Sequence, residues 1–194
     1  MPAARLVLAS TSIYRRQLLD RFGLPYSVVS PATDETPLPG EMPDALSERL
    51  ARAKAETVAT LYPGAWVIGS DQVAERDGIA LGKPGDHANA VAQLRAASGR
   101  ALRFHTAICV RCVTAGVARI HRDVTEVFFR ALDDDSIERY LRAEHPYDCA
   151  GSFKSEGLGI ALFESIRSDD PTALIGLPLV ALAGMLREAG FNVP

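Results

Sequence analysis

Residues 66 to 74, Trp-Val-Ile-Gly-Ser-Asp-Gln-Val-Ala, place an acid inside a run otherwise suited to burial. Trp66 to Ile68 begin an apolar, β-branched stretch that reads as a buried strand, and Val73 and Ala74 continue it past Asp71 and Gln72. A carboxylate removed from water without a partner costs several kcal/mol or neutralises itself by shifting its pKa. Asp71 must therefore face a cation, a strong donor or a solvent-filled cleft. Asp77-Gly78 then signals a hairpin turn that returns the chain through Ile79 to Leu81 towards Gly82-Lys83-Pro84. That hairpin can carry Lys83 back beside Asp71. An ion pair that merely fixes the strand end would use the same residues.

The remaining pattern is that of alternating strands and helices. Leu6 to Ala9 is a short apolar strand; Ser10-Thr11-Ser12 breaks it before a helix with Ile13, Leu18, Leu19 and Phe22 on its apolar side and Gly23 as its stop. Ser12 is the expected N-cap. Arg15 and Arg16 stand in the first turn, where the helix dipole disfavours cations. For Arg15, with Ser10 and Ser12, a bound anion resolves the conflict, because hydroxyls, free N–H groups and a guanidinium together form a phosphate cradle. Arg16 is expected to bend away to a surface carboxylate.

Tyr26 to Val29 reads as a second strand, and residues 30 to 43 as a proline-rich loop holding Asp34 and Glu35. Those two acids suit either a turn or a metal ligand. A helix over 44–61 places Lys54 in line with Leu46, Leu50 and Val58, so that it either snorkels to the helix edge or reaches a phosphate. Asp86 is expected to cap a helix running to Ser98, before Gly99. Phe104 to Val113 and Val117 to Phe129 read as long strands joined around Ala115-Gly116, with His105 and His121 half-buried in them. Asp133 to Asp135 most simply cap a helix from Ser136 to Ala143. Cys149 to Gly159 is a polar, glycine-bearing loop suited to approaching a ligand. Ile160 to Ile166 reads as a strand, and a terminal helix runs from Gly176-Leu-Pro178 through Leu186 to a stop at Gly190.

Composition excludes several functions. The chain has 194 residues and a formal charge of −3, with no Lys/Arg block, which argues against long nucleic acid and anionic membrane as partners. It lacks an 18-residue apolar run and the pattern of a signal peptide, so a cytoplasmic location is expected. Three cysteines fit reduced thiols. Cys109 and Cys112 match C-x-x-C, but three positions apart on a strand they face opposite ways, against a zinc or redox site.

Together, Leu-Val-Leu-Ala-Ser-Thr-Ser-Ile-Tyr-Arg-Arg-Gln-Leu-Leu (6 to 19), Asp34-Glu35, Lys54, Gly-Ser-Asp-Gln (69 to 72), Gly-Lys-Pro (82 to 84) and Gly-Leu-Pro-Leu (176 to 179) resemble the Maf family of nucleoside triphosphate pyrophosphatases. The resemblance implies an α/β fold with a central mixed β-sheet flanked by helices, as in the inosine triphosphate pyrophosphatases. It also implies one domain over residues 1–194, with two lobes around a nucleotide-binding cleft. The implied reaction is hydrolysis of a nucleoside triphosphate to the monophosphate and pyrophosphate with a divalent metal, Mg²⁺ or Mn²⁺. By matching position, Asp71 is the catalytic base, and Ser10, Ser12, Arg15, Lys54 and Lys83 contact the triphosphate. Glu35 and Asp71 serve the metal.

Tyr14, Gln72 and Glu156 resemble the subgroup acting on 7-methyl-GTP, whereas relatives acting on thymidine and uridine triphosphates tend to carry Arg and Thr at the first two positions. A methylated guanine is cationic, so an aromatic ring and a carboxylate both favour it. Ile13 departs from the proline of many relatives without removing a reactive group. The rival readings are the same reaction on dTTP, UTP or other noncanonical triphosphates, a nucleotide-binding regulator of cell division without turnover, and a zinc or redox protein. The expected partner is a small-molecule nucleoside triphosphate, with a homodimer compatible.

Overall fold

The computed structural model describes residues 5 to 193. Its strands form one mixed sheet: β1 (Leu6–Ala9), β2 (Tyr26–Val29), β3 (Trp66–Arg76), β4 (Ile79–Leu81), β5 (Ala101–Cys112), β6 (Val117–Phe129) and β7 (Phe163–Arg167). The order is β2-β1-β3-β5-β6-β7, with β4 on β3. β1 runs parallel to both β2 and β3, and every other pairing is antiparallel. The parallel strands need crossovers, and α1 (Ile13–Asp20) and α2 (Pro43–Leu61) lie in them.

Strand alternation sorts the layers. The odd-numbered positions of β3 face α2, whose Ala51 and Ala55 pack with Ala107 and Cys109 of β5. The even-numbered positions face two separate apolar clusters. One joins Ile68, Ile108 and Val110 to α1 and to α5 (Leu179–Glu188). The other joins Ala74 and Phe104 to α3 (His87–Ala97) and α4 (Asp134–Glu144), with Phe129, Phe153 and Phe163 stacked edge to face. A 3-10 turn, Ala173–Ile175, spans the boundary, sending Leu174 to one cluster and Ile175 to the other.

The helix caps follow the local chemistry. Ser12, Asp86 and Asp133 each accept a backbone N–H three residues on. The Asp133 to Asp135 run is thus a cap and a complement to the dipole of α4, and among the described residues no group of three or more His, Cys, Asp or Glu forms a metal cluster. Four expectations are corrected. Residues 158–162 form a 3-10 helix, and the strand begins only at Phe163, because the N–H groups of Gly157 and Gly159 both donate to Lys154 O and curl the chain. Ile13 is exposed, since the start of α1 lines an open cleft. Arg16 reaches no surface carboxylate among the described residues; its Nε is buried without a hydrogen-bond partner. His121 is exposed, whereas His105 is buried against Glu75 at 2.6 Å.

Candidate active site

The site begins where the sheet stops pairing. β1 ends at Ala9 opposite Gly69, and β4 ends at Leu81 opposite Ala74. Ala74 and Glu75 pair with β4 and also with β5, so β4 occupies the same edge of β3 that β1 left. Between them, Ser70 to Val73 have β5 on one side and no strand on the other, a gap of about 13 Å. A cleft of about 820 Å³ opens there. The hydroxyls and cations nominated from the sequence, Ser10, Ser12, Arg15, Lys54 and Lys83, all line it. So do Glu35, Asp71, Tyr14, Gln72 and Glu156.

Asp71, on the face towards α2, is 6% exposed. Its partner is Lys54, whose Nζ donates to Asp71 Oδ1 at 2.6 Å and also lies 2.6 Å from Glu35 Oε1. This corrects the expectation that the hairpin brings Lys83 to Asp71. Lys83 is exposed in the same cleft, and α2 rather than the hairpin supplies the buried cation. Nor does Lys54 snorkel to the helix edge, since it is 6% exposed. Gly69 makes this possible. A Cβ there would stand 2.3 Å from Ala51 O and 2.5 Å from Ala55 N, so α2 crosses β3 at a distance only glycine permits.

Burial pushes the Asp71 carboxyl above its ordinary value, opposed by the Lys54 and Arg15 charges. For Glu35, burial also raises the carboxyl, but the hydrogen bond and charge of Lys54, with Lys83 and Arg15 behind, hold it below the usual range. Two neighbouring carboxylates are thereby set apart in acidity. Asp34 takes the turn role, its Oδ1 accepting from Thr36 N at 2.9 Å.

The hydroxyls and guanidinium of the cleft come from the β1–α1 junction. Ser10 Oγ accepts from Ser12 N at 3.1 Å, and Ser12 Oγ from Arg15 N at 3.3 Å, leaving both hydroxyl protons to donate outward. Arg15 is half-buried, and burial lowers its pKa from a very high starting value. Its Nε donates to Gly176 O at 2.9 Å, the carbonyl that also takes the Ser70 hydroxyl. This anchoring directs the rest of the guanidinium at the cleft.

Gln72 faces the opposite way from Asp71. Its amide nitrogen is 2.9 Å from Thr106 Oγ1, 3.1 Å from Ala173 O and 2.9 Å from Leu174 O. Backbone carbonyls only accept, so the NH₂ must face them and Oε1 is the capacity that Gln72 retains for a ligand. Tyr14 stands among Lys154, Cys149, Glu156 and Asp148, and burial raises its hydroxyl pKa. Asp148, a second carboxylate on the cleft wall beside Glu156, escaped the sequence reading because nothing marks it beyond a loop after His145-Pro146. The hydrogen bond from Ser70 to the Gly176 carbonyl has no sequence signal, since it joins segments 106 positions apart. Lys154 Nζ is engaged by Glu144 O at 3.0 Å.

A mixed α/β domain whose cleft sets a buried carboxylate against clustered cations and hydroxyls has the chemistry to hold a small polyanion and to move a proton beside it. Residues 5–189 match the Maf-like protein family, and the chain belongs to it. A protein of Xanthomonas oryzae pv. oryzae named 7-methyl-GTP pyrophosphatase is 62% identical over 192 residues, covering 98% of this chain and 99% of that protein. One of the same name from Burkholderia thailandensis is 57% identical over 190 residues, covering 96% and 88%. Among solved structures, the Staphylococcus aureus Ham1 protein overlays 66% of this chain and 72% of its own at a TM-score of 0.47 and 16% identity. No helix among the described residues is long and apolar enough to cross a membrane.

Proposed function

We propose that this protein hydrolyses 7-methyl-GTP to 7-methyl-GMP and pyrophosphate, in the cytoplasm and with a divalent metal, Mg²⁺ or Mn²⁺. The observation that carries the reading is the buried Asp71 in the gap of the sheet, held by Lys54 and facing the phosphate cradle of Ser10, Ser12 and Arg15. The names of the close relatives support the same substrate.

In this reading a water attacks the α-phosphorus, the bridging bond to the β-phosphate breaks, and pyrophosphate leaves. Asp71 takes the proton from the water, a task for which its raised pKa suits it. Arg15, Lys54 and Lys83 neutralise the charge that gathers on the leaving pyrophosphate, and the serine hydroxyls donate to phosphate oxygens. Asp71 and Glu35, hard oxygen donors that both reach one Lys54 nitrogen at 2.6 Å, are close enough to share a small cation. Such a metal, when bound, lowers the pKa of water and offsets phosphate charge. At the other end, the Tyr14 ring stacks on a cationic base and Glu156 pairs with it, while Gln72 Oε1 accepts from a base N–H.

The test is a panel of 7-methyl-GTP, GTP, dTTP, UTP and CTP with Mg²⁺ or Mn²⁺, resolving pyrophosphate from orthophosphate. Pyrophosphate released fastest from 7-methyl-GTP, and lost in Asp71→Asn, is the expected result. A preference for a pyrimidine triphosphate overturns the base assignment, and binding without turnover overturns the reaction.

A further inference from the structure

We infer that in the nucleotide-free protein Lys54 occupies the place between Glu35 and Asp71 where a divalent cation would sit, so that the metal is held only once the triphosphate has drawn Lys54 away. The inference rests on the metal-dependent reading above but concerns the order in which the site fills.

Lys54 Nζ is 2.6 Å from an oxygen of each carboxylate. Two oxygens at 2.6 Å from one atom are at most 2 × 2.6 = 5.2 Å apart. Opposite ligands of an octahedral Mg²⁺ stand about 4.2 Å apart, so ammonium and metal compete for one position. An ammonium has three donors and no lone pair, and it repels a second cation at contact distance. The pair of acids with Lys54 carries a net charge of −1; without the lysine it carries −2. No third His, Cys, Asp or Glu joins them among the described residues, so most of a metal's ligands must come from water and phosphate.

The exchange needs only side-chain motion. The α2 backbone is fixed on β3 by the close approach at Gly69, but Lys54 ends in a flexible four-carbon stem. The Glu35 side chain is 57% exposed and free to turn. Arg15 cannot substitute, because Gly176 O holds its Nε. An arriving triphosphate offers Lys54 oxygens at least as anionic as those it leaves.

The experiment measures Mn²⁺ binding by electron paramagnetic resonance, without turnover. Wild type is titrated alone and with 7-methyl-GTP carrying a methylene bridge between the α- and β-phosphates, and Lys54→Met is titrated alone. The analogue in buffer without protein corrects for its own Mn²⁺ binding. The expected outcome is weak binding by wild type alone, with affinity roughly tenfold or more higher both with the analogue and in Lys54→Met alone. Wild type alone binding Mn²⁺ as tightly as Lys54→Met overturns the inference, as does no gain on adding the analogue. The wild-type comparison stands even if Lys54→Met fails to fold. Glu35→Gln should remove the gain in a Lys54→Met background; its persistence places the metal elsewhere. If triphosphates are not turned over while Lys54→Met still gains Mn²⁺, the proposed reaction fails and the inference survives. Turnover without the gain has the opposite meaning.

Discussion

Gly69→Ala probes the crossing that creates the site. The added Cβ would meet Ala51 O at 2.3 Å, Ala55 N at 2.5 Å and Ala55 Cβ at 2.9 Å, two of them backbone atoms that cannot rotate aside. Restoring ordinary contact at about 3.4 Å requires α2 to lift by 3.4 − 2.3, or roughly 1.1 Å. Overpacking of this kind costs about 1–3 kcal/mol. At about 2–4 °C per kcal/mol for a chain of this size, Tm should fall by about 2–12 °C. The catalytic effect should exceed what stability alone explains. Lys54 sits between Ala51 and Ala55 along α2, so the same lift lengthens its 2.6 Å contact with Asp71, and a displacement of about 1 Å in a positioned group costs roughly 100-fold in rate. Steady-state kinetics at a temperature where the variant remains folded by circular dichroism separates the two effects. A Gly69→Ala protein with wild-type Tm and wild-type kcat/KM would refute the argument that this close approach sets the Asp71–Lys54 geometry.

The pH dependence is expected to follow from Asp71. Burial raises its folded pKa above the unfolded value, so ionised Asp71 weighs against the fold and stability from this group is lost as pH rises through the folded pKa. Because Asp71, as the proposed base, must be ionised to accept a proton, kcat/KM should fall on the acid side with a midpoint above the ordinary carboxylate range. In metal-free protein, Lys54→Met, which removes the opposing cation, should move the Asp71 titration followed by carboxyl NMR higher still; a lower one contradicts the assignment. Asp170→Ala removes a buried carboxylate that accepts from Thr172 N, Thr172 Oγ1 and Val180 N, so denaturant unfolding should show a loss of about 1–3 kcal/mol for each donor left orphaned. The Cys109 and Cys149 thiols should be inert at neutral pH, because burial pushes Cys109 up to about 11 and Cys149 up to about 12. A thiol reagent that labels the native protein as fast as the denatured one, or stoichiometric zinc, would revive the redox or metal reading of Cys109 and Cys112.

What the sequence made legible was local. Turn chemistry located the β3–β4 hairpin, and Ser12, Asp86 and Asp133 identified helix starts because a cap is decided within three residues. The buried acid of β3 points to a cleft from sequence alone, and Asp71 lines one. The partner of that acid is not legible locally: the hairpin offers Lys83 nearby in sequence, whereas Lys54 arrives by way of a helix packed across the sheet. A signal existed: Gly69, inside a strand, marks a place where another backbone comes close. The apolar run after Gly159 resembles a strand in sequence because periodicity over so few residues does not distinguish a strand from a tight helical turn. The Gly176 carbonyl, which gathers Arg15 and Ser70, had no local signature at all.

The gap along β3 has a consequence for the protein's own hydrogen-bonding account. A strand edge without a neighbour leaves main-chain N–H and C=O groups to be satisfied by whatever comes to lie there. Of the unpaired stretch Ser70 to Val73, Asp71, Gln72 and Val73 line the cleft, so this edge faces a concavity rather than the rim of the sheet, where another protein's strand could add to it. On the proposed function, a nucleotide in the cleft would lie along that edge, and its arrival should be legible in the backbone itself. Amide hydrogens of this four-residue stretch that point into the cleft should exchange with solvent more slowly when the cleft is filled, even though no helix or strand has moved.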